Sequence, residues 1–376
     1  RRDALLFYPY HSMEPFLRLV KEAANDPSVL SIKITIYRLA STAKLVEYLA
    51  AAAENGKDVT VLMELRARFD EQANIAWAQR LEEAGCTILY GFEHYKVHSK
   101  ICLITRREKG RIQHITQIGT GNYNEKTARL YTDFCLMTAS PAIGADAAAF
   151  FQNMSTSNLE GEYQQLLVAP HSLKPRLLEL MDGEIEKARR GEKARIFIKV
   201  NSVTDRQLID KLAQASQAGV PITLNVRGIC CLRPGVPGLT DHIRVFSVVG
   251  RFLEHPRIYA FGAGAETSVY IGSADLMTRN TERRVEIACP VTDPAVRRQI
   301  KHYVELYCSD NVKARNLGVE GTYTPVPRAE GAPAVDAQAA LMAEAELEAA
   351  SAAARPAPAP ESRNGLLGRL LGRFRR

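Results

Sequence analysis

The feature that most constrains how this chain can fold is an internal duplication. Residues 29–36 (VLSIKITI) read as a strand rich in branched residues, and 42–55 as a helix with Ser41 or Thr42 as N-cap and Gly56 as its stop. Residues 59–65 give a second strand, and 70–84 a second helix ending at Gly85. Short strands fit 86–90, 97–104, 112–118 and 133–138, with a helix after Pro141. The second half repeats this order. Residues 194–200 (ARIFIKV) form a strand, 205–218 a helix stopped by Gly219, and 222–228 a strand. Further strands fit 243–249, 257–261, 268–272 and 285–289, with a helix after Pro294. Strand alternating with helix predicts βαβ units and a parallel sheet.

Five landmarks recur in the same order. Arg66 closes the second strand of one copy and Arg227 that of the other. His98 follows the first arginine by 32 positions and His255 follows the second by 28. A turn of small residues comes next, Gly119-Thr120-Gly121-Asn122 and Gly272-Ser273-Ala274-Asp275. An acid then enters a strand, Asp133 and Glu286, and a proline follows eight residues later, Pro141 and Pro294. The predicted architecture is α/β, two tandem domains (1–160 and 161–322) packed as a pseudo-two-fold pair, with a low-complexity C-terminal stretch over 323–376.

Charge and cysteine usage narrow the setting. The formal charge is +7 over 376 residues, and the last sixteen residues hold +4 of it. The body is therefore only mildly basic, which suits an anionic partner without requiring nucleic acid. Seven cysteines without CxxC spacing point to a reducing, cytoplasmic compartment and no zinc site. No window of about 18 apolar residues spans a membrane. Residue 1 is Arg and no signal peptide precedes it, so the chain reads as a fragment lacking an upstream region. Residues 329–360, rich in Ala, Glu and Pro, read as a disordered or partly helical linker. The final GLLGRLLGRFRR sets Leu366, Leu367, Leu370, Leu371 and Phe374 at helical spacing beside arginines. That pattern suits either a solvated basic tail or peripheral contact with an anionic membrane.

The chemistry concentrates around KVHSKICLI (96–104) and EHPRIYAF (254–261). His98 and Lys100, two apart, emerge on one face if the segment is a strand, and His255 and Arg257 repeat the spacing. A single strand histidine is more often structural, but its recurrence beside a cation weakens that reading. The two small-residue turns, with Asn122 in the first, offer backbone N–H groups and a polar side chain to phosphate oxygens. A cation beside an imidazole favours the neutral, nucleophilic ring and neutralises an approaching phosphate. If the halves face each other, one histidine attacks phosphorus and the other moves a proton at the leaving oxygen; spacing does not say which. Arg38 and Arg68 fall at the C-terminal edge of the sheet, where ligands bind and guanidinium forks match phosphate. Pairing of Arg68 with Asp70 or Glu71 is the plainer alternative. Asp133 is expected to orient His98. There is no GxxxxGK[ST] loop, no kinase signature and no GxSxG elbow. The GxG at 262–264 reads as a hairpin turn.

HxK with a G[ST]xN turn in the first copy, answered by HxR and a GSAD turn in the second, resembles the phospholipase D superfamily. The strings DPSVLSIKITIYRLA, ELRARFDEQANIAWAQRLEEAG, IGTGNYNEKTARLYTDF, VRGICCL, RFLEHPRIY and SADLMTRNTERRVEIACP are similar to the C-terminal half of the bacterial polyphosphate kinase family over residues 3–322. The resemblance implies two phospholipase D-like catalytic domains and reversible transfer of the ATP γ-phosphate to inorganic polyphosphate through a phosphohistidine. It implies His98 as the phosphorylated nucleophile and His255 as the second catalytic histidine, near the nucleotide. Tyr131 and Arg227 match ATP-site positions; Lys100, Asn122 and Arg257 are expected at phosphate. Arg38 and Arg68 match positions associated with Mg²⁺, and a guanidinium, having no lone pair, serves there only by holding the phosphates that hold the ion. The implied partners are ATP or ADP and polyphosphate, with no nucleic acid; homo-oligomers are expected only with the family's N-terminal domains, which this chain lacks. The superfamily's acid, separated from the lysine by four residues, is absent, position 105 being Thr.

Two other functions fit parts of the pattern. A phosphodiesterase or phosphatidyltransferase needs two matched HxK motifs, and the second copy here has His255-Pro256-Arg257. A non-catalytic polyphosphate-binding fragment fits the truncation, but not the retention of both histidines.

Overall fold

The computed structural model describes residues 3–39, 43–64 and 71–354, together with Gly365 and Leu370. Its first half runs β1 (Ala4–Tyr8), α1 (Glu14–Asn25), β2 (Val29–Ile36), α2 (Lys44–Glu54), β3 (Asp58–Met63), α3 (Glu71–Glu83), β4 (Thr87–Tyr90), β5 (Lys96–Val97), β6 (Ile101–Glu108), β7 (Arg111–Gly119), β8 (Tyr131–Thr138) and α4 (Pro141–Ser155). The second runs β9 (Leu167–Ala169), α5 (Leu173–Arg189), β10 (Ile196–Val200), α6 (Arg206–Gln217), β11 (Ile222–Val226), β12 (Ile243–Val248), β13 (Leu253–Glu254), β14 (Arg257–Phe261), β15 (Ser268–Gly272), α7 (Thr278–Glu282), β16 (Arg284–Pro290), α8 (Pro294–Ser309), β17 (Ala314–Leu317), β18 (Tyr323–Pro325) and α9 (Ala337–Ala354).

The duplication is carried by the sheets themselves. One sheet has the order β1-β8-β7-β6-β2-β3-β4, and the other contains β16-β15-β14-β10-β11-β12. Each β-α-β pair is parallel, β2 with β3 and β10 with β11, while β6 and β14 return antiparallel. These central strands are covered on both faces, hence the near-continuous runs of branched residues. Gly56 and Gly219 end the matching helices α2 and α6 with φ of +80° and +87°, a conformation that disfavours a side chain. Asp293 caps α8 through the amides of Ala295 and Val296, ahead of Pro294 at the first helical position. The cap of α2 is Ala43, without a side-chain bond; Ser41 and Thr42 lie outside the described residues. Gly262 and Gly264, both at positive φ, make the hairpin between β14 and β15.

The sheets face each other across one apolar layer. It holds Phe7, Ile118 and Phe134 of the first half, and Phe197, Ile258 and Ile287 of the second, with α4 and α8 packed in. Helices α1 and α2 cover the outer face of the first sheet, and α5 and α6 that of the second.

The halves also exchange strands. Strand β5 leaves its own sheet and pairs in parallel with β16, while β13 pairs in parallel with β8. The sequence predicts an unbroken strand over 97–104. The structure breaks it at 98–100, where the chain crosses from one sheet to the other. His98 and Lys100 therefore sit on a crossing segment rather than along one strand face, and His255 occupies the equivalent place between β13 and β14.

Within the expected linker, the helical option holds for 337–354, and the start of that helix is packed. Asp310, at the end of α8, accepts from the amide of Ala337 at 2.8 Å, and Ala337 and Leu341 are buried in the central layer. The tail pattern over 366–374 lies outside the described residues apart from Leu370, which is buried against the first core. No described helix is long and apolar enough to cross a membrane.

Candidate active site

The strand exchange decides which acid meets which histidine. Nδ1 of His98 donates to Oε2 of Glu286 at 2.8 Å, from the first half to the second. Nδ1 of His255 lies 2.8 Å from both oxygens of Asp133, from the second half to the first. The expected Asp133–His98 pair is therefore not formed. Both acids point across the interface, because each histidine rides on a strand that belongs to the other sheet. Each pair leaves Nε2 as the nitrogen not committed to the acid.

Both acids are themselves held by the small-residue turns. Thr120 donates its hydroxyl to Asp133 at 2.6 Å, and Ser273 donates to Glu286 at 2.5 Å. The amides of Gly119, Thr120 and Ser273 are bonded to Lys100, Phe134 and Ile287 carbonyls, so these three N–H groups are not offered to a ligand. Asn280 gives Glu286 a further bond at 2.6 Å. Gly121 lies directly on Asp133: a Cβ there would stand 2.0 Å from Oδ2.

The cations beside the rings have different surroundings. Lys100 is 1% exposed, its ammonium donates to the carbonyl of His98, and it lies 5.5 Å from the centroid of the Tyr37 ring. Burial pulls its pKa down to about 7. Arg257 is clasped by Asp275 through Nε and Nη2 at 3.3 and 3.2 Å. Its Nη1 sits 3.2 and 3.1 Å from the two ring nitrogens of His255 and 3.4 Å from the carbonyl of Thr120 in the first half. Burial, then Lys100, Arg284 and Arg257, hold the His98 imidazole well below the usual histidine range. Burial and Arg257 also lower His255, against the upward pull of Asp133. Burial pushes Glu286 up, while Lys100 and the Ser273 hydroxyl oppose it. The side chains of His98 and His255 stay 11% and 13% exposed, so the imidazoles reach the surface while the acids and cations form the floor.

The other expected residues distribute as follows. Tyr131 packs on His255 with ring centroids 5.5 Å apart. Arg227 donates to Asn201 at 2.6 Å, and Asn201 bonds Asp275, which links that arginine to Arg257. Asn122 is half-buried, and its side-chain oxygen has no bond partner among the described residues. Arg38 is half-buried just after β2, 5.5 Å from the Tyr37 centroid. Arg66, Arg68, Asp70 and the side chain of Glu71 lie outside what the structure describes. The pairing of Arg66 with Arg227 across the copies needs correction. In register, Ile36 stands beside Met63 and Val200 beside Val226, so the residues that follow, Glu64 and Arg227, are the counterparts.

Sequence reasoning missed Tyr37, which meets His98 edge-on at 5.0 Å, and its counterpart Asn201. Tyr37 directly follows β2, one position before Arg38, and Asn201 directly follows the matching β10, so strand-end position was the available signal. Among the described residues no group of three His, Cys, Asp or Glu side chains could hold a metal ion. With guanidinium unable to ligate, the described residues do not form a protein cage for Mg²⁺.

Residues 1–160 match the family model described as polyphosphate kinase C-terminal domain 1, and residues 166–338 match polyphosphate kinase C-terminal domain 2. The chain is 48% identical over 321 residues to a polyphosphate kinase of Bacillus cereus, covering 85% of this chain and 46% of that one. It superposes on the crystal structure of polyphosphate kinase from Porphyromonas gingivalis with a TM-score of 0.85 and 38% identity, over 93% of this chain and 53% of that one. A phosphatidylserine synthase from Haemophilus influenzae shares the fold alone, with a TM-score of 0.57 and 12% identity over 94% of each chain. The architecture is thus the expected tandem α/β pair, the fold that the polyphosphate kinase structure shows over most of this chain. The chain spans about half the length of the curated relatives it matches.

Proposed function

The chain belongs to the polyphosphate kinase family, and from that premise we propose that it carries the catalytic centre for reversible transfer of the ATP γ-phosphate to inorganic polyphosphate. The observation that supports this best is the crossed pairing of His98 with Glu286 and His255 with Asp133. It joins one histidine of each half to a single buried cluster of acids and cations.

In this reading, Nε2 of His98 attacks the γ-phosphorus. The N–P bond forms, the bond from phosphorus to the bridging oxygen breaks, and its electron pair leaves on ADP. The Nδ1–H bond to Glu286 stabilises the positive ring that results. His255, protonated and with Asp133 as its counter-ion, gives the proton on Nε2 to the departing oxygen. A terminal oxygen of polyphosphate then attacks the phosphohistidine, and His98 leaves as the neutral ring. Lys100 and Arg257 supply a fixed positive field for the phosphoryl oxygens. Tyr131 and Arg227 border His255 and suit the nucleotide. Asn122 and Arg38 suit its phosphates, as does Arg68 by family likeness. Mg²⁺ belongs to the nucleotide substrate and is carried by the phosphates. A diesterase of two equivalent HxK motifs fits less well, since Arg257 in the second copy is clasped by Asp275.

The proposed chemistry has a pH signature. The neutral ring is the nucleophile, and a lowered pKa keeps His98 neutral further into acid. The acid limb of kcat/KM for ATP therefore lies below about 6.5. The alkaline limb follows loss of two protons, that of His255, which burial and Arg257 bring below the usual histidine range, and that of Lys100, which burial brings to about 7, so it lies at or below about 7. A pH series of kcat/KM on the full-length protein checks both limbs. An acid midpoint at or above about 6.5 counts against His98 as nucleophile.

Gly121→Ala is a second check. The added methyl has no room beside Oδ2 of Asp133 and displaces the acid from His255. We expect a loss of about 10²-fold in kcat, the scale for displacing a catalytic group by about an ångström. Wild-type turnover with a folded variant would remove Asp133 and His255 from the reaction.

A further inference from the structure

We propose that Gln338, in the first turn of α9, is a positioning residue for His255, an inference that rests on the phosphotransfer reading above. The segment that carries His255 to the other sheet is short. Its strand β13 has two residues, Leu253 and Glu254, and Leu253 donates its amide to the Leu130 carbonyl at 2.9 Å. Gln338, 86 positions further along the chain from Phe252, grips that segment. Its side-chain oxygen accepts from the amide of Phe252 at 2.9 Å, and its side-chain nitrogen donates to the carbonyl of Phe252 at 3.0 Å. The same nitrogen donates to Oε1 of Glu254 at 2.6 Å. The other oxygen of Glu254 pairs with Lys199 at 2.8 Å and accepts the Thr132 hydroxyl at 3.2 Å. That hydroxyl lies 3.3 Å from the amide of His255.

Gln338 is 2% exposed and bonded through both ends of its amide, so it is held as firmly as the segment it grips. The backbone approaches closely because residue 250 is glycine: a Cβ there would stand 2.4 Å from the Gln338 oxygen. The first copy is built differently. There the residue before His98 is fixed by Glu64, whose carboxylate accepts the amide of Val97 at 2.9 Å. The second copy has Arg227 at the position of Glu64, and Arg227 is turned to Asn201. A donor and acceptor brought in by α9 replaces the missing acid. Residues outside the duplication thereby set the angle at which the second histidine meets the phosphate.

The test uses the full-length protein with Gln338→Ala, Gly250→Ala and, as control, Glu344→Ala. The control removes only an exposed pair between α9 and His302. With labelled ATP, Gln338→Ala is expected to lower kcat and the first-turnover rate of His98 labelling together, by about tenfold, with KM for ATP within about twofold of wild type. Gly250→Ala, which keeps Gln338 but pushes its amide aside, gives the same split even if Gln338→Ala does not fold. Wild-type labelling rates in folded Gln338→Ala or Gly250→Ala, with only a lower unfolding temperature, would overturn the inference. A wild-type protein that forms no phosphohistidine at His98 would instead overturn the phosphotransfer reading itself.

Discussion

Replacing His98 by alanine is expected to abolish the phosphoenzyme and to lower phosphotransfer by about 10⁴-fold or more, the scale seen when a covalent nucleophile is removed. Acid-labile, base-stable label from γ-labelled ATP appears in the wild-type full-length protein and is absent from the variant. The loss is chemical and not a collapse of the fold. Glu286, left without the ring, still accepts from Ser273 and Asn280. Its remaining partners keep the cost of the lost bond near 1–3 kcal/mol, within what a domain of this size tolerates. ATP binding should survive, since Tyr131 and Arg227 lie on the His255 side of the cluster. Retained label in the variant would move the nucleophile elsewhere.

Glu286→Gln is expected to be almost as damaging, at about 10³–10⁴-fold in kcat, although it changes neither size nor, in the second half, any sheet contact. The carboxylate accepts three bonds, from His98, Ser273 and Asn280. An amide offers one oxygen, and its NH₂ then faces a partner that also needs an acceptor. The relaxed arrangement turns the NH₂ toward Nδ1 of His98, which moves the ring proton to Nε2 and occupies the lone pair that attacks phosphorus. The corresponding Asp→Asn change in a serine protease triad costs about 10⁴-fold by the same change of tautomer. Glu286 belongs to the second half and His98 to the first, so the experiment also asks whether the halves act as one site. Labelling of His98 at the wild-type rate in Glu286→Gln would make the pair structural only.

Much of the fold was legible because a duplication writes its landmarks twice. The turns at 119–122 and 272–275, the acids Asp133 and Glu286 and the helix-starting prolines Pro141 and Pro294 recur at matched offsets, and each lies at the same point of its sheet. The crossed pairing was not legible. A histidine bonded to the acid of its own copy and one bonded to the acid of the other copy leave the same sequence. The choice is made by β5 and β13, two-residue strands too short to show a period. For the same reason 97–104 looked like one strand: apolar residues on either side of the crossing are buried in both sheets. The arginine landmark failed because Arg227 corresponds to Glu64 by register, two positions before Arg66. Gln338 left no signal in an Ala-rich stretch, since its role depends on what the helix packs against.

The central claim is that His98 is oriented by Glu286 so that Nε2 takes the phosphoryl group. The most direct measurement is the position of phosphorus on the imidazole of wild-type full-length protein labelled with ATP, isolated under alkaline conditions and read by phosphorus-coupled NMR. The account predicts one labelled residue, His98, phosphorylated on Nε2. Phosphorus on Nδ1, or on His255 or another residue, would contradict it.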